Sequence, residues 1–194
     1  MVLMYILNKI LKKTVIAFHI NYNNRVESNI ESEFLKEYCS INNIPFLYHS
    51  IHFTRESMNR TKYELDTKNI RFIKYKEIID NNNSDCILLG HHKDDIVENV
   101  FNNICRGRNI LDLSVIKTET FLNQVTIVRP MINTYKTNIY SYAHSYNVPY
   151  FKDSTPNWSL RGIYRNQIFP LINNSFSDNL KNNLINISEQ SSQW

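Results

Sequence analysis

Two kinds of hydrophobic pattern alternate along the chain. Short runs rich in β-branched and aromatic residues are followed by longer segments in which apolar residues recur every three or four positions, as Ile30, Phe34 and Tyr38 do. The short runs predict strands at Thr14–Tyr22, Pro45–His52, Cys86–Leu89 and Val125–Val128. The longer segments predict helices at 1–12, Glu27–Ile41, Thr61–Asp80 and Tyr135–Tyr146, with further helices after Thr155.

The alternation of strands and helices predicts an α/β fold. Helices of this length between strands are typical of βαβ units, so we expect a doubly wound parallel sheet with helices on both faces. No internal repeat and no long linker interrupts the pattern. The sequence therefore predicts a single domain over residues 1–194.

Composition excludes several classes of protein. Of the 194 residues, 42% are hydrophobic and 21% charged, which is typical of a folded protein. Only three are glycines, where roughly thirteen would be average, so neither a dinucleotide fingerprint nor a Walker A loop can be written. The three cysteines lack metal-ligand or disulfide spacing, and no apolar run is long enough to cross a membrane. We therefore expect a cytoplasmic protein, whose net charge of +4 permits a polyanionic partner without requiring one.

The most informative segment is the strand-to-helix junction CILLGHHKDDIVENVFNNICRG. On a helical wheel its polar residues share a sector of roughly 80°, opposite an apolar face. These residues are His91, Asp95, Glu98, Asn102 and Arg106. Ligands of open α/β sheets bind beyond the carboxyl ends of the strands, and a helix N-terminus attracts phosphate. Carboxylates at this place are oxygen ligands suited to Mg²⁺ with nucleotide phosphates, although acidic residues in a first turn also simply complement the helix dipole.

The junction resembles a known family. Leu-Gly-His-His-x-Asp-Asp-x-x-Glu-Asn followed by Arg106-Gly107 is similar to the signature helix of the PP-loop ATP pyrophosphatases that modify tRNA, in particular the tRNA(Ile)-lysidine synthases. Other segments match in colinear order over about 170 residues. They are His19-Ile20-Asn21, Arg25 with Glu27-Ser28, Ile70-Arg71-Phe72, Val128-Arg129-Pro130-Met131 with Lys136, Asp153-Ser154-Thr155-Pro156-Asn157, Arg165-Asn166 and Pro170-Leu171.

The resemblance implies a fold and a reaction. The fold is the PP-loop, adenine nucleotide alpha hydrolase-like one, with residues 1–110 as nucleotide-binding core and 111–194 supplying the substrate-side strand and helices. The reaction uses ATP and Mg²⁺ to adenylate the C2 oxygen of the wobble cytidine of a tRNA(Ile) with a CAU anticodon. Free lysine then displaces AMP, so the implied enzyme is a carbon–nitrogen ligase.

The resemblance also assigns roles to residues. The implied catalytic residues are Asp95, Glu98 and Asp153, and the implied Mg²⁺ ligands are Asp94, Asp95 and Glu98. The implied nucleotide-binding residues are His91, Asp94, Arg106 and Gly107. The implied contacts to tRNA or substrate are Arg71, Arg129, Arg165 and Asn166. For Asp153 a turn cap, and for Arg129 a structural ion pair, are the alternatives.

One departure from the family concerns its pyrophosphate loop. The family's Ser-Gly-Gly-x-Asp-Ser motif lies between its first strand and first helix, and Met1–Met4 aligns just after it. We therefore expect the first strand and the loop to be missing, through an internal start, a split gene or decay of the gene. Activity then depends on a loop supplied by a second chain. The possible protein partners are therefore a chain that carries this loop or a second copy of this chain in a homodimer.

Two other functions stay open. A 2-thiocytidine-type thiolation enzyme shares the His-His-x-Asp-Asp helix but generally carries paired CxxC cysteines, which Cys39, Cys86 and Cys105 do not form. A catalytically inactive tRNA-binding remnant would keep basic residues as phosphate contacts. ATP turnover separates the remnant from an enzyme.

Overall fold

The computed structural model describes residues 1–25, 27–52, 59–113, 116–151, 155, 157, 159–176, 179–191 and 193. The chain packs into two compact units. The first comprises the described parts of residues 1–87, 121–127 and 145–151, and the second those of residues 88–120, 128–144 and 152–194. The sequence predicted a single domain in which residues 1–110 bind the nucleotide and residues 111–194 face the substrate. This stays a prediction, because the two units reflect packing and do not show which residues bind which molecule.

The first unit is built on a parallel β-α-β arrangement. Its elements are α1 (Val2–Tyr5), which continues as a π-helical segment (Ile6–Ile10), β1 (Ala17–Asn21), α2 (Glu27–Ile41), β2 (Phe46–Ser50) and α3 (Arg60–Asn82). Strands β1 and β2 pair in parallel, from Ala17 opposite Phe46 to Asn21 opposite Ser50. Cys39 is fully buried and packs with Tyr38 and Ile44 in a hydrophobic cluster of this unit.

Three further strands form a second sheet. They are β3 (Ile87–Leu88), β4 (Glu119–Leu122) and β5 (Val125–Val128), in the order β3-β5-β4. Strand β4 was not predicted, because its residues are mostly exposed and lack the alternation that marks a half-buried strand. Asn123 and Gln124, both with positive φ, connect β4 to β5.

The second unit is mostly helical. Its helices are α4 (Lys93–Cys105), a 3₁₀ turn (Ile110–Asp112), α5 (Lys136–Ser145), α6 (Leu160–Ile163), a π-helical segment (Tyr164–Ile168), α7 (Phe169–Phe176) and α8 (Leu180–Ser191). The last residue of α5, Ser145, is grouped with the first unit. Val97 and Val100 of α4 are fully buried against Tyr164, Phe169 and Leu184. This core fixes α4 against the C-terminal helices of the same unit.

The predicted α/β class is confirmed, with parallel pairing of β1 and β2 and helices between strands. Strands β1, β2 and β3 are shorter than predicted, whereas β5 has the predicted bounds. The described strands are divided between two sheets. Among the described residues, no helix combines the length and the apolar character that crossing a membrane requires.

Candidate active site

The candidate site begins where β3 gives way to α4. Gly90 follows the strand, and a Cβ atom added there would lie 3.6 Å from Cε of Met131, an ordinary van der Waals distance. His92 is the N-cap of α4 in an extended conformation, and the Lys93 N–H donates to the Thr134 carbonyl at 2.9 Å. The first turn of α4 therefore presents its acidic side chains directly after the strand.

Asp95 has a structural role in this turn. Its Oδ2 atom accepts a hydrogen bond from the backbone N–H of His92 at 3.0 Å, which satisfies one of the free donors at the helix start. The residue is only 6% exposed. Helix capping therefore explains part of the reason for an aspartate at position 95.

Glu98, one turn further along α4, holds two arginines. It is 4% exposed; its Oε1 accepts from Nε of Arg165, and its Oε2 lies 3.3 Å from Nε of Arg161. Both arginines also place an Nη2 atom 3.8 Å from Oδ1 of Asp95. Two carboxylates and two guanidinium groups thus form one cluster, which we call the arginine cluster (Asp95, Glu98, Arg161 and Arg165).

Packing of the helix core positions these arginines. Arg161 and Arg165 are four residues apart, so they lie on one side of the helical run from α6 into the π-helical segment. Between them Tyr164 packs edge-on against Phe101 of α4, with ring centroids 5.1 Å apart. The apolar contact brings the two basic side chains to the acidic face of α4.

Asp94 has different cationic neighbours. Its Oδ1 atom accepts from the ammonium of Lys181, and its Oδ2 accepts from the backbone N–H of Lys136 at 2.8 Å. Burial acts to raise the pKa of Asp94, but these two hydrogen bonds and the charges of Lys181 and His92 outweigh it, so the pKa lies below its ordinary value. Asp94 is therefore held as a carboxylate.

A tyrosine lies among the lysines near Asp94. Nζ of Lys93 is 4.8 Å and Nζ of Lys181 6.0 Å from the ring centroid of Tyr135, distances typical of cation–π contacts. The Tyr135 hydroxyl donates to Oδ1 of Asn182 at 2.6 Å. The surface beside the arginine cluster is therefore basic and aromatic.

His91 and Arg129 contact each other. Nε of Arg129 donates to Nδ1 of His91 at 3.2 Å, and its Nη1 donates to the Lys117 carbonyl at 2.8 Å and to Oγ1 of Thr120 at 2.9 Å. These bonds hold the Arg129 guanidinium in place through neutral acceptors, whereas the alternative expected from the sequence was a structural ion pair. The tRNA contact of Arg129 stays a prediction.

The other predicted residues have different surroundings or lie outside this unit or the described residues. Arg106 is exposed at the C-cap of α4, eleven residues after Asp95 and so about 16 Å further along the axis. Gly107 has φ +65°, which completes the helix end and accounts for glycine there. Arg71 belongs to α3 of the first unit, and Asn166 donates to Asn157 at 2.7 Å. Asp153 lies outside the described residues.

The acidic side chains of α4 do not fit a resident Mg²⁺ ion as they stand. Each carboxylate of Asp94, Asp95 and Glu98 already meets a lysine or an arginine, which a metal would have to displace. Within the part of the chain that the structure describes, no three His, Cys, Asp or Glu residues converge as metal ligands. The predicted Mg²⁺ ligand set therefore stays a prediction. A Mg²⁺ ion that enters the site bound to ATP would be part of the substrate and not a resident cofactor.

Three residues of the site were missed from sequence. Arg161 had a local signal, the spacing of four residues to Arg165, which suits two side chains that act together on one helix face. His92 is the second histidine of the Leu-Gly-His-His motif and was given no role of its own. Lys181 had no local signal, because its partner Asp94 is 87 residues away.

Comparisons with known proteins agree with the resemblance. A family model described as a PP-loop domain matches residues 1–172. The chain is 33% identical over 188 residues to a tRNA(Ile)-lysidine synthase of Buchnera aphidicola, covering 93% of this chain and 41% of that protein. It is 27% identical over 157 residues to one of Staphylococcus epidermidis, covering 80% of this chain and 36% of that protein. The chain thus spans less than half the length of these two curated relatives.

A solved structure shares the fold. The U34-tRNA thiolase NcsA from Methanococcus maripaludis, solved with its 4Fe–4S cluster, superposes with a TM-score of 0.72 at 16% identity. The match covers 99% of this chain and 67% of the thiolase. With a family model matching most of its length, the chain belongs to the PP-loop domain family.

Proposed function

We propose that this chain acts in ATP-dependent tRNA modification and that its reaction is that of a tRNA(Ile)-lysidine synthase. The observation that carries the proposal is the arginine cluster at the start of α4, directly after β3. The similarity to lysidine synthases in two bacterial species supports the same reaction.

The arginine cluster suits a phosphate-transfer reaction. Guanidinium groups bind phosphate oxygens through paired N–H donors, and Arg161 keeps about half of its side chain exposed for such a contact. Both arginines form ion pairs with the carboxylates of Glu98 and Asp95, which fix the positions of the guanidinium groups. In the proposed role, Asp95 and Glu98 position the arginines, and the arginines meet the triphosphate or a tRNA phosphate.

The proposed reaction has two steps. In the first, the C2 oxygen of cytidine attacks the α-phosphorus of ATP and pyrophosphate leaves. In the second, the neutral ε-amine of lysine attacks C2, AMP leaves, and the amine gives up a proton. Negative charge develops on phosphate oxygens in the first step, and fixed cations such as Arg165 stabilise it most effectively there.

Asp94 is the candidate for binding the amine. A lysine ammonium of the chain itself, that of Lys181, already lies on this carboxylate beside the Tyr135 ring. A carboxylate held in its charged form can bind a substrate ammonium in place of Lys181, and the proton that the amine loses before attack passes to water. This role extends the nucleotide-binding role that the family resemblance implied for Asp94.

Thiolation is the second candidate, since the solved thiolase shares the fold. A sulfur relay needs accessible thiols, but Cys39 is fully buried with its Sγ 4.0 Å from Sδ of Met4, and burial raises the pKa of its thiol. Cys39 is therefore a core residue. Cys86 is half-buried and Cys105 exposed, but no two of the three cysteines form the CxxC pair that thiolation enzymes generally carry, and this favours the lysine reaction.

Mass spectrometry of the nucleosides tests the proposal. The chain is incubated, alone and together with a second protein that carries a Ser-Gly-Gly-x-Asp-Ser loop, with ATP, Mg²⁺, lysine and a tRNA(Ile) transcript bearing CAU. The expected product is lysidine at the wobble position. Arg165→Ala should lower its yield by about 100-fold, because a fixed cation is lost where charge develops. Arg108→Ala is the matched control, since Arg108 is exposed and distant along the chain from Arg165.

The other outcomes contradict the proposal in identifiable ways. A product that forms only with a sulfur donor would indicate thiolation. Salt-sensitive tRNA binding without consumption of ATP would indicate the inactive remnant. Equal yields from Arg165→Ala and Arg108→Ala would remove the arginine cluster from the mechanism.

A further inference from the structure

A basic pocket lies in the first unit, whereas the arginine cluster is built from elements of the second. It has a volume of about 290 Å³ and is lined by residues from two helix-to-strand connections. We call it the lysine pocket; its polar lining residues are Asn8, Lys12, Lys13, Thr14 and Asn43. It lies at the amino ends of β1 and β2, whereas ligands of α/β sheets usually bind at the carboxyl ends.

The pairing of the strands creates this pocket. Lys12, with φ +50°, turns the chain from the π-helical segment toward β1, and Asn43, with φ +53°, turns it from α2 toward β2. The Ala17 N–H donates to the Pro45 carbonyl at 2.8 Å, so the two connections enter the sheet side by side. The polar side chains of both connections therefore surround one concavity.

The charge of the pocket is uncompensated. No acidic residue is among those that line it. Within the described ranges Lys12 and Lys13 form no ion pair, whereas Lys74 pairs with Glu77 and Lys76 with Asp80. Two ammonium groups with neighbouring amide and hydroxyl donors match the chemistry of an oxyanion.

We propose that the lysine pocket binds a phosphate group of the RNA backbone, as a second contact for the tRNA substrate. The identity of the RNA rests on the proposed function. A volume of about 290 Å³ is roughly ten times the share of one water molecule, which is room for a phosphodiester with part of its ribose. Free phosphate offers the same chemistry, so the test separates the two sources.

Binding of a tRNA transcript, measured by fluorescence anisotropy without ATP or lysine, tests the proposal. The double variant Lys12→Ala/Lys13→Ala should bind about ten times more weakly at moderate salt, and the slope of log affinity against log salt should fall by about 1 to 2. Lys62→Ala/Lys68→Ala is the matched control, because it removes the same charge from exposed positions of α3 in the same unit. The control should change affinity less than twofold.

A second arm titrates inorganic phosphate into the wild-type chain and the pocket variant, followed by NMR. Equal weakening of tRNA binding by the pocket and control variants would overturn the proposal, because charge alone would then explain it. Loss of phosphate binding with tRNA binding unchanged would also overturn it, since the anion would not be RNA.

This test is independent of catalysis. A chain that makes no lysidine but loses tRNA affinity only in the pocket variant would contradict the proposed reaction and support the pocket. A chain that makes lysidine while both double variants bind tRNA as the wild type does would support the reaction and overturn the pocket.

Discussion

The arginine cluster and the lysine pocket manage charge in opposite ways. In the second unit, each acidic side chain at the start of α4 meets a cation of the protein, and Glu98 is almost fully buried. In the first unit, Lys12 and Lys13 line a concavity with no carboxylate among its lining residues. A cluster paired internally contributes to stability and orients its groups, whereas an unpaired one is available to a ligand.

Removing the buried carboxylate should have the largest effect. Glu98→Ala leaves the partly buried Arg165 without its main partner, so we expect a loss of about 3 kcal/mol in the free energy of unfolding. Urea denaturation followed by circular dichroism measures it. Glu37→Ala, on an exposed position of α2, should change stability by less than about 0.5 kcal/mol. Similar values for the two variants would mean that the cluster is not held as described.

The Asp94 carboxylate should show a smaller effect that depends on pH. Because the pKa of Asp94 is lowered in the folded state, its ionised form stabilises the fold above the unfolded value, 3.8. This contribution should be under about 1 kcal/mol, because Lys181 is partly exposed, and it is lost as the pH falls through the folded pKa.

Denaturation of the wild type and Asp94→Asn at pH 7 and pH 3 checks this prediction. The difference in stability between them should be present at pH 7 and shrink at pH 3. Asp85→Asn, at an exposed position, serves as control. A difference that grows on acidification would contradict the assigned direction of the pKa shift.

The lysine pocket should show the smallest effect on stability. Lys12→Ala/Lys13→Ala breaks no ion pair among the described residues, so the free energy of unfolding should change by less than about 0.5 kcal/mol. Chemical denaturation in a phosphate-free buffer measures it. A loss comparable to that of Glu98→Ala would show that these lysines support the fold.

Local patterns predicted the helices well. The helix predicted at Glu27–Ile41 was confirmed with the same bounds, because apolar spacing and a polar face are local properties. Strand β4 was missed since Phe121 is 74% exposed, so nothing in its pattern marks burial. Division of the strands between two sheets depends on long-range pairing that spacing does not encode.

The site was predicted only in part, for a related reason. The acidic face of α4 is visible in the sequence, but its partners are 67 residues away at Arg165 and 87 at Lys181. A helical wheel placed Arg106 beside Asp95 because it ignores distance along the axis. Sequence spacing therefore identified only the acidic side of the site. Of its cations, Arg165 was named through the family resemblance, whereas Arg161 and Lys181 were not.

Release of pyrophosphate from ATP in the presence of a tRNA(Ile) transcript tests most directly that the arginine cluster serves phosphate transfer. The wild-type chain should release pyrophosphate only when tRNA is present, Arg108→Ala should match it, and Arg165→Ala should be about 100-fold slower. A tRNA-dependent rate that is the same in Arg165→Ala and the wild type would contradict the account, as would the absence of tRNA-dependent release both from the chain alone and from the chain with a protein that carries a Ser-Gly-Gly-x-Asp-Ser loop.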